Sequence, residues 1–156
     1  MKILIISPPR CGSTALLKHI SDGTNSKRIS EPFNYDLHKN IEYTYPMVLD
    51  QHYVIKYITT QTPKEHGTPD DFVDFITSDV LNYDKVILLS RRNKIEHMES
   101  LINLHMRMSS GKNVLAQWHG DDIKHIPFNY DIGYLLNKYV NMINKISLNL
   151  DIPITY

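Results

Sequence analysis

The stretch KILIISPPRCGST, residues 2–14, decides the fold. Its first half, up to Ser7, is a continuous apolar run that suits a β-strand buried on both faces, as in a parallel sheet covered by helices. Its second half is a short loop that leads into a helix beginning at Ser13. In such a strand–loop–helix turn, successive backbone N–H groups and the helix dipole point at one spot, which becomes a ready site for an anion.

The side chains of this loop also favour an anion. Arg10 adds a permanently charged fork of donors, while Ser13 and Thr14 add hydroxyls in the first helical turn. The alternative is an ordinary βα loop in which Ser13 caps the helix. A nucleotide-triphosphate P-loop needs the pattern Gly-x-x-x-x-Gly-Lys-Ser/Thr, whereas this loop has one glycine, Gly12, and no lysine before its hydroxyls. An ATPase or a kinase therefore fits poorly.

The single cysteine, Cys11, permits no intramolecular disulfide. A Cys-x5-Arg phosphatase would need an arginine six residues further on, where the sequence has Leu17. We therefore interpret Cys11 as a small loop residue rather than a nucleophile. The eight histidines show no zinc-type pairing, so no metal site is expected.

Length and composition favour one soluble domain over residues 1–156. Hydrophobic residues make up 42% of the chain, which is enough for a single core. The 17 Lys and Arg balance the 17 Asp and Glu, and this balance excludes a wholly basic nucleic-acid coat. The opening apolar run is too short for a signal peptide or a membrane span. We expect a cytoplasmic protein with neither a nucleic-acid nor a membrane partner.

Strand-like and helical patterns alternate along the chain. Further apolar runs predict strands at Lys2 to Ser7, Tyr53 to Ile58, Lys85 to Ser90 and Ile152 to Tyr156. Helical spacing predicts helices from Ser13 to Asp22 and from Pro69, Ile95 and Ile132 onward. This order indicates an α/β three-layer sandwich, with a mostly parallel central sheet flanked by helices. Ligands of such folds bind beyond the carboxyl ends of the strands, so the loops after residues 7, 58 and 90 matter most.

The loop after residue 90 completes a pair of motifs. Pro9-Arg10-Cys11-Gly12-Ser13-Thr14 follows the first strand, and Arg92-Asn93 follows a later one, with Ser100 eight residues after the arginine. Together and in this order, the motifs resemble those of the sulfotransferases that use 3′-phosphoadenosine 5′-phosphosulfate (PAPS). In that family the first motif binds the 5′-phosphosulfate, and the later Arg and Ser grip the 3′-phosphate.

The resemblance implies a P-loop-type fold and assigns roles to individual residues. The phosphosulfate would be held by the five residues of the first loop: Arg10, Cys11, Gly12, Ser13 and Thr14. Arg92 and Ser100 would hold the 3′-phosphate. For Arg92 the alternative is a surface ion pair with Glu96, at helical spacing. Arg91 is a competing arginine that we interpret as a neighbouring surface charge.

Two further residues resemble the catalytic positions of the family. Glu31, in the sequence Ser-Glu-Pro-Phe, falls where several bacterial and carbohydrate sulfotransferases place a catalytic glutamate, and we expect it to be the general base. The following proline predicts extended backbone geometry at Glu31. Lys56 occupies the second-strand lysine position, with a role in stabilising the leaving oxygen or orienting the acceptor. The cytosolic branch has a histidine base two residues later, where this chain has Ile58, and His52 is the weaker substitute.

The expected activity is transfer of a sulfuryl group from PAPS to a hydroxyl of an acceptor, with sugars and phenols favoured. The motifs resemble the bacterial trehalose-type and carbohydrate-type branch more than the cytosolic one. Two alternatives stay open: a P-loop kinase-like phosphotransferase, and a non-catalytic module that binds PAPS or its product adenosine 3′,5′-bisphosphate (PAP). The second is motivated by the end of the sequence: the sulfotransferases usually continue past their last strand with a further helix or a Gly-rich segment that covers PAPS, whereas the last predicted strand here ends at Thr155-Tyr156.

Overall fold

The computed structural model describes residues 1–33, 52–59, 61, 69–109 and 131–156. Its strands are β1 (Lys2–Ser7), β2 (Lys27–Ser30), β3 (Tyr53–Ile58), β4 (Lys85–Leu89) and β5 (Ile154–Thr155). Its helices are α1 (Ser13–Thr24), α2 (Pro69–Asp79), α3 (Lys94–Ser109) and α4 (Ile132–Leu150), with a short 3₁₀ turn at Val80–Asn82. Within these ranges, no helix combines the length and the apolar character needed to cross a bilayer.

The five described strands form one parallel sheet in the order β2-β3-β1-β4-β5. The central strand β1 pairs with β3 on one side and with β4 on the other, so that Ile6 lies opposite both Tyr57 and Leu88. Because all of these strands run in one direction, their carboxyl ends meet at one edge of the sheet. The loops that carry both sequence motifs therefore leave the sheet at the same edge.

Helices cover both faces of the sheet because successive side chains of a strand point to opposite sides. On one face, Leu4 packs in the large core cluster with Ile76 of α2 and Ile143 of α4. On the other face, Ile5 packs with Leu17 of α1. Burying each such side chain contributes about 1.5–3 kcal/mol to stability. The predicted α/β architecture with a parallel sheet is confirmed.

The structure differs from the sequence prediction in two elements, a strand that was not predicted and a helix end that was predicted wrongly. Strand β2 was not predicted, because Lys27 and Arg28 are exposed and a four-residue edge strand has no continuous apolar run. Helix α1 does not stop before Gly23 but continues to Thr24. Asn25 ends it instead, since its backbone adopts the left-handed conformation at φ 50° and its N–H bonds back to helical carbonyl groups.

A polar network is enclosed near the large core cluster. The Tyr57 hydroxyl donates to Asp79 Oδ2 at 2.9 Å and lies 2.8 Å from the Tyr83 hydroxyl. The Asn82 amide donates to Asp79 Oδ1 at 3.2 Å. Burial raises the pKa of the Asp79 carboxyl to about 6, since only 4% of the residue is exposed and the hydrogen bonds offset the loss of water only in part.

Candidate functional site

The candidate residues lie at the carboxyl edge of the sheet, except for His52, which immediately precedes β3 at the opposite, amino edge and contacts the Met1 amino group. The Thr59 N–H donates to the Ser7 carbonyl oxygen at 3.0 Å, which ties the end of β3 to the end of β1. The Glu31 N–H donates to the Lys56 carbonyl oxygen at 3.0 Å, continuing the pairing of β2 with β3. This pairing brings Glu31 beside Lys56, although the two are far apart in sequence.

The loop between β1 and α1 has an unusual backbone. Arg10 and Gly12 both have positive φ, at 65° and 80°. Gly12 is the N-cap residue of α1, and no side chain caps the helix there. A Cβ at Gly12 would meet nothing within 4 Å, so the backbone conformation rather than space favours glycine. Ser13 is buried and begins the helix instead of capping it, so the first-turn N–H groups have no side-chain cap.

Lys56 is the centre of the site. Its side chain is 1% exposed, and its Nζ donates to Glu31 Oε1 at 2.6 Å and to Thr14 Oγ1 at 2.8 Å. The Lys56 side chain lies on the α1 side of the sheet because residues two apart along a strand share a face. Val54, two residues earlier in the same strand, packs on that side. One buried ammonium group therefore joins the first turn of α1 to the carboxylate after β2.

The Glu31 carboxylate is held at both oxygens. Lys56 donates to Oε1, and the Gln61 amide nitrogen donates to Oε2 at 2.9 Å. Each carboxylate oxygen has more than one lone-pair direction, so neither oxygen is limited to a single donor. Gln61 was not predicted from the sequence. Its contribution depends on the turn after β3, where its backbone N–H donates to the Ile58 carbonyl oxygen at 2.9 Å.

The prediction of extended geometry at Glu31 is wrong. Glu31 has φ 53°, in the left-handed region, in spite of the proline that follows it. The backbone bond to the Lys56 carbonyl and the ion pair to its ammonium group hold this conformation against the local preference. Left-handed geometry at a non-glycine residue costs about 1–3 kcal/mol and is concentrated at functional positions in proteins. Arg10 is strained in the same way, so two of the expected catalytic residues carry positive φ.

The two sequence motifs contact each other. Arg10 Nε donates to Ser100 Oγ at 3.0 Å, which joins the loop after β1 to helix α3. Arg92 is exposed in the loop before α3. The ion pair considered for Arg92 is made by its neighbour, since the Arg91 guanidinium lies 3.5 Å from the Glu96 carboxylate. Among the described residues no contact joins Arg92 to Ser100, and their shared role stays a prediction.

Asn93, the second residue of the Arg-Asn motif, has a structural role of its own. Its Oδ1 accepts hydrogen bonds from the backbone N–H groups of Ile95 at 3.1 Å and Glu96 at 3.3 Å. It therefore caps helix α3 and fixes where the helix begins. The position of Ser100, two turns further along, depends on that start.

A buried histidine completes the contact between α3 and the loop. His97 is 0% exposed, and its Nε2 lies 2.8 Å from the Pro9 carbonyl oxygen and 3.7 Å from Cys11 Sγ. Because a carbonyl oxygen only accepts, Nε2 carries the proton. Burial lowers the pKa of His97, and the charges of Lys94 and Arg91 lower it further, so the ring is neutral at pH 7.

His97 was not singled out from the sequence. His97 lies three residues before Ser100, so the two share one face of α3. That spacing could have indicated that His97 also faces the loop after β1.

Cys11 has the properties of a packed thiol. Burial raises its pKa to about 11, outweighing the nearby charges of Lys94 and Arg91. The sulfur is therefore a protonated thiol at neutral pH, in agreement with our interpretation of Cys11 as a loop residue rather than a nucleophile.

Several buried polar atoms at this edge lack a hydrogen-bond partner among the described residues: Ser7 Oγ, Thr59 Oγ1, Gln61 Oε1 and His97 Nδ1. They belong to the ends of β1 and β3 and to the face of α3 that meets the loop. Buried polar atoms in native proteins normally have partners, so a cluster of exceptions indicates a place for water or a polar ligand. Two of these residues, Ser7 and Thr59, are joined by a backbone hydrogen bond, and Gln61 contacts the candidate residue Glu31.

Comparison with protein-family models, with curated proteins and with solved structures finds no match to this chain. The fold and the contacts at the carboxyl edge of the sheet are therefore the grounds for a functional assignment.

Proposed function

We propose that the protein transfers a sulfuryl group from PAPS to a hydroxyl of a small-molecule or carbohydrate acceptor. The observation that carries the proposal is the junction at Lys56, whose ammonium group lies 2.8 Å from the Thr14 hydroxyl and 2.6 Å from the Glu31 carboxylate. One buried cation thus connects the anion-binding loop to a carboxylate. Sulfuryl transfer needs a cation and an anion-binding loop beside a carboxylate, because negative charge grows on the leaving group while the acceptor loses a proton.

The loop after β1 fits the phosphosulfate end of PAPS. The first-turn N–H groups of α1 have no side-chain cap, and the dipole of this twelve-residue helix favours negative charge there. Arg10 and Thr14 add a guanidinium and a hydroxyl at the same end of the helix. Ser7, at the end of the adjoining strand, adds a buried hydroxyl without a described partner. These donors suit an anion, and Cys11, Gly12 and Ser13 would contribute through their backbone.

The second motif supports the choice of a 3′-phosphorylated nucleotide. Helix α3 brings Ser100 within 3.0 Å of Arg10, so both motifs border one region of the surface. Arg92 is exposed at the start of the same helix, where a phosphate can reach its guanidinium fork. We assign these two residues to the 3′-phosphate.

PAPS supplies the sulfuryl group: its sulfur bonds to the acceptor oxygen as the sulfur–oxygen bond to the phosphate breaks, and PAP leaves with the electron pair of that bond. Lys56 and Arg10 stabilise the negative charge that grows on the leaving phosphate oxygen. Glu31 takes the proton of the acceptor hydroxyl. Lys56 and Gln61 hold the carboxylate in place, so little reorganisation is needed when the proton moves.

Ligand selectivity tests the proposal before any acceptor is known. At equal ligand concentrations, the thermal unfolding midpoint should rise with PAP, rise less with adenosine 5′-monophosphate, and rise little with ATP and magnesium. A ligand that binds the folded state stabilises it by an amount that grows with the logarithm of its concentration divided by its Kd. A larger effect of ATP with magnesium would contradict the proposal in favour of a phosphotransferase. Strong PAP binding without sulfate transfer to any sugar, phenol or peptide in a broad panel would contradict catalysis and favour a binding module.

A further inference from the structure

Helix α3 contacts the loop after β1 at two points one helical turn apart. His97 Nε2 donates to the Pro9 carbonyl oxygen at 2.8 Å, and Ser100 Oγ accepts from Arg10 Nε at 3.0 Å. Residues three apart lie on the same face of a helix, so both contacts come from one side of α3. The helix therefore holds the backbone just before Arg10 as well as the Arg10 side chain.

The contact at Pro9 fixes the peptide group that precedes Arg10. A trans peptide is planar, with its carbonyl and N–H pointing in opposite directions. Once the Pro9 carbonyl faces His97, the Arg10 N–H must point away from α3. Arg10 also has φ 65°, which costs about 1–3 kcal/mol and persists only where surrounding contacts enforce it. His97 and Ser100 supply such contacts.

We propose that His97 is a positioning residue for Arg10, acting through the Pro9 carbonyl group. This inference rests on the proposed function, in which Arg10 stabilises the leaving group. The ring acts as a neutral hydrogen-bond donor, and this role needs no contact with the nucleotide or the acceptor. Its complete burial beside the loop, with Cys11 Sγ 3.7 Å away, gives it no contact with solvent.

Two isosteric substitutions separate this role from simple packing. The amide nitrogen of His97→Gln can reach the place of Nε2 and keep the bond to the Pro9 carbonyl. The amide of His97→Asn ends at the depth of Nδ1 and cannot. We expect His97→Gln to retain turnover within about threefold, and His97→Asn to lower turnover by roughly ten- to a hundredfold, the range for leaving a buried carbonyl without a donor.

The single cysteine reports on the loop without any nucleotide. Cys11 is the only thiol in the chain, and burial raises its pKa from an ordinary 9.0 to about 11. If the loop opens, the thiol returns toward its ordinary pKa, and at about pH 8 the reactive thiolate fraction rises by up to about a hundredfold. Labelling by a disulfide reagent should therefore be at least about tenfold faster in His97→Asn than in the wild type, and near the wild-type rate in His97→Gln.

The dependence of the labelling rate on urea distinguishes local opening from loss of the whole fold. Local opening exposes little surface, so the rate in His97→Asn should rise only weakly with urea, whereas labelling through global unfolding rises steeply. Equal labelling of His97→Asn and the wild type, or identical behaviour of the Gln and Asn variants, would overturn the positioning role. If the labelling pattern holds while no variant binds PAP, His97 still positions the loop and the nucleotide assignment fails.

Discussion

Removing the Glu31 carboxylate should destabilise the fold more than removing the ammonium group of its partner, Lys56. In Glu31→Ala, the Lys56 ammonium keeps only the Thr14 hydroxyl among its described partners, while its side chain remains 1% exposed. Breaking a buried pair in this way leaves an uncompensated charge and costs about 3–5 kcal/mol. Alanine retains the left-handed backbone strain of position 31, so relief of that strain does not mask the loss.

Removing the Lys56 ammonium group instead should lower the free energy of unfolding by less. In Lys56→Met, the stem remains buried and the Glu31 carboxylate, 20% exposed, keeps water and the Gln61 amide as partners. We expect a loss of about 1.5–3 kcal/mol in the free energy of unfolding, the range for a hydrogen bond to a charged group. The double variant leaves no buried charge, so it should be more stable than Glu31→Ala alone.

Urea unfolding followed by circular dichroism measures all three variants under one condition. Equal slopes against urea would show that the same surface is exposed in each case, so the midpoints report stability. The reasoning would be refuted if Glu31→Ala cost less than about 1 kcal/mol, or if Lys56→Met cost more than Glu31→Ala. Glu31→Gln is the matched control, since it keeps an oxygen for the ammonium group and should fall between wild type and Glu31→Ala.

Three further outcomes follow from the site and the core. Arg10→Ala should lower turnover more than PAP affinity in steady-state and calorimetric measurements, and Arg10→Lys should recover part of the rate. Arg92→Ala should remove most of the preference for PAP over adenosine 5′-monophosphate, a loss of roughly ten- to a hundredfold in PAP affinity. Equal affinities of the wild type for the two nucleotides would contradict the assignment of Arg92 and Ser100 to the 3′-phosphate. Because the Asp79 pKa is raised from 3.8 to about 6, its contribution to stability is full below pH 3.8 and is lost as the pH rises through 6. Asp79→Asn should therefore gain roughly 1–2 kcal/mol on the wild type between about pH 5 and about pH 8 in urea unfolding, and a constant difference would contradict the raised pKa.

The central part of the fold was predictable because its signals are local. Strands β1 and β3 have the predicted bounds, since each is a largely apolar run buried on both faces of a parallel sheet. The predicted strands near residues 85–90 and 152–156 are present with shorter ends. Edge strand β2 has no such run, and its place beside β3 comes from backbone pairing.

The residues of the candidate site could be proposed from the sequence, whereas most of their contacts could not. The motifs around Arg10 and Ser100 are local patterns, and the structure brings these two residues into contact. The Glu31–Lys56 pair depends on the register of β2 against β3, in which Ser30 lies opposite Lys56. No short-range sequence pattern predicts how β2 and β3 are aligned against each other.

Rate measurements on the wild type and Glu31→Gln test the central claim most directly. The assay follows transfer of radiolabelled sulfate from PAPS to the best acceptor in a panel of sugars and phenols, with PAP affinity measured in parallel. We predict acceptor-dependent transfer by the wild type, and in Glu31→Gln an unchanged PAP affinity with transfer lowered by roughly 10²–10⁴-fold. Near-normal transfer by Glu31→Gln would contradict the assignment of Glu31 as the base. Absence of transfer by the wild type to every acceptor would contradict the proposed activity itself.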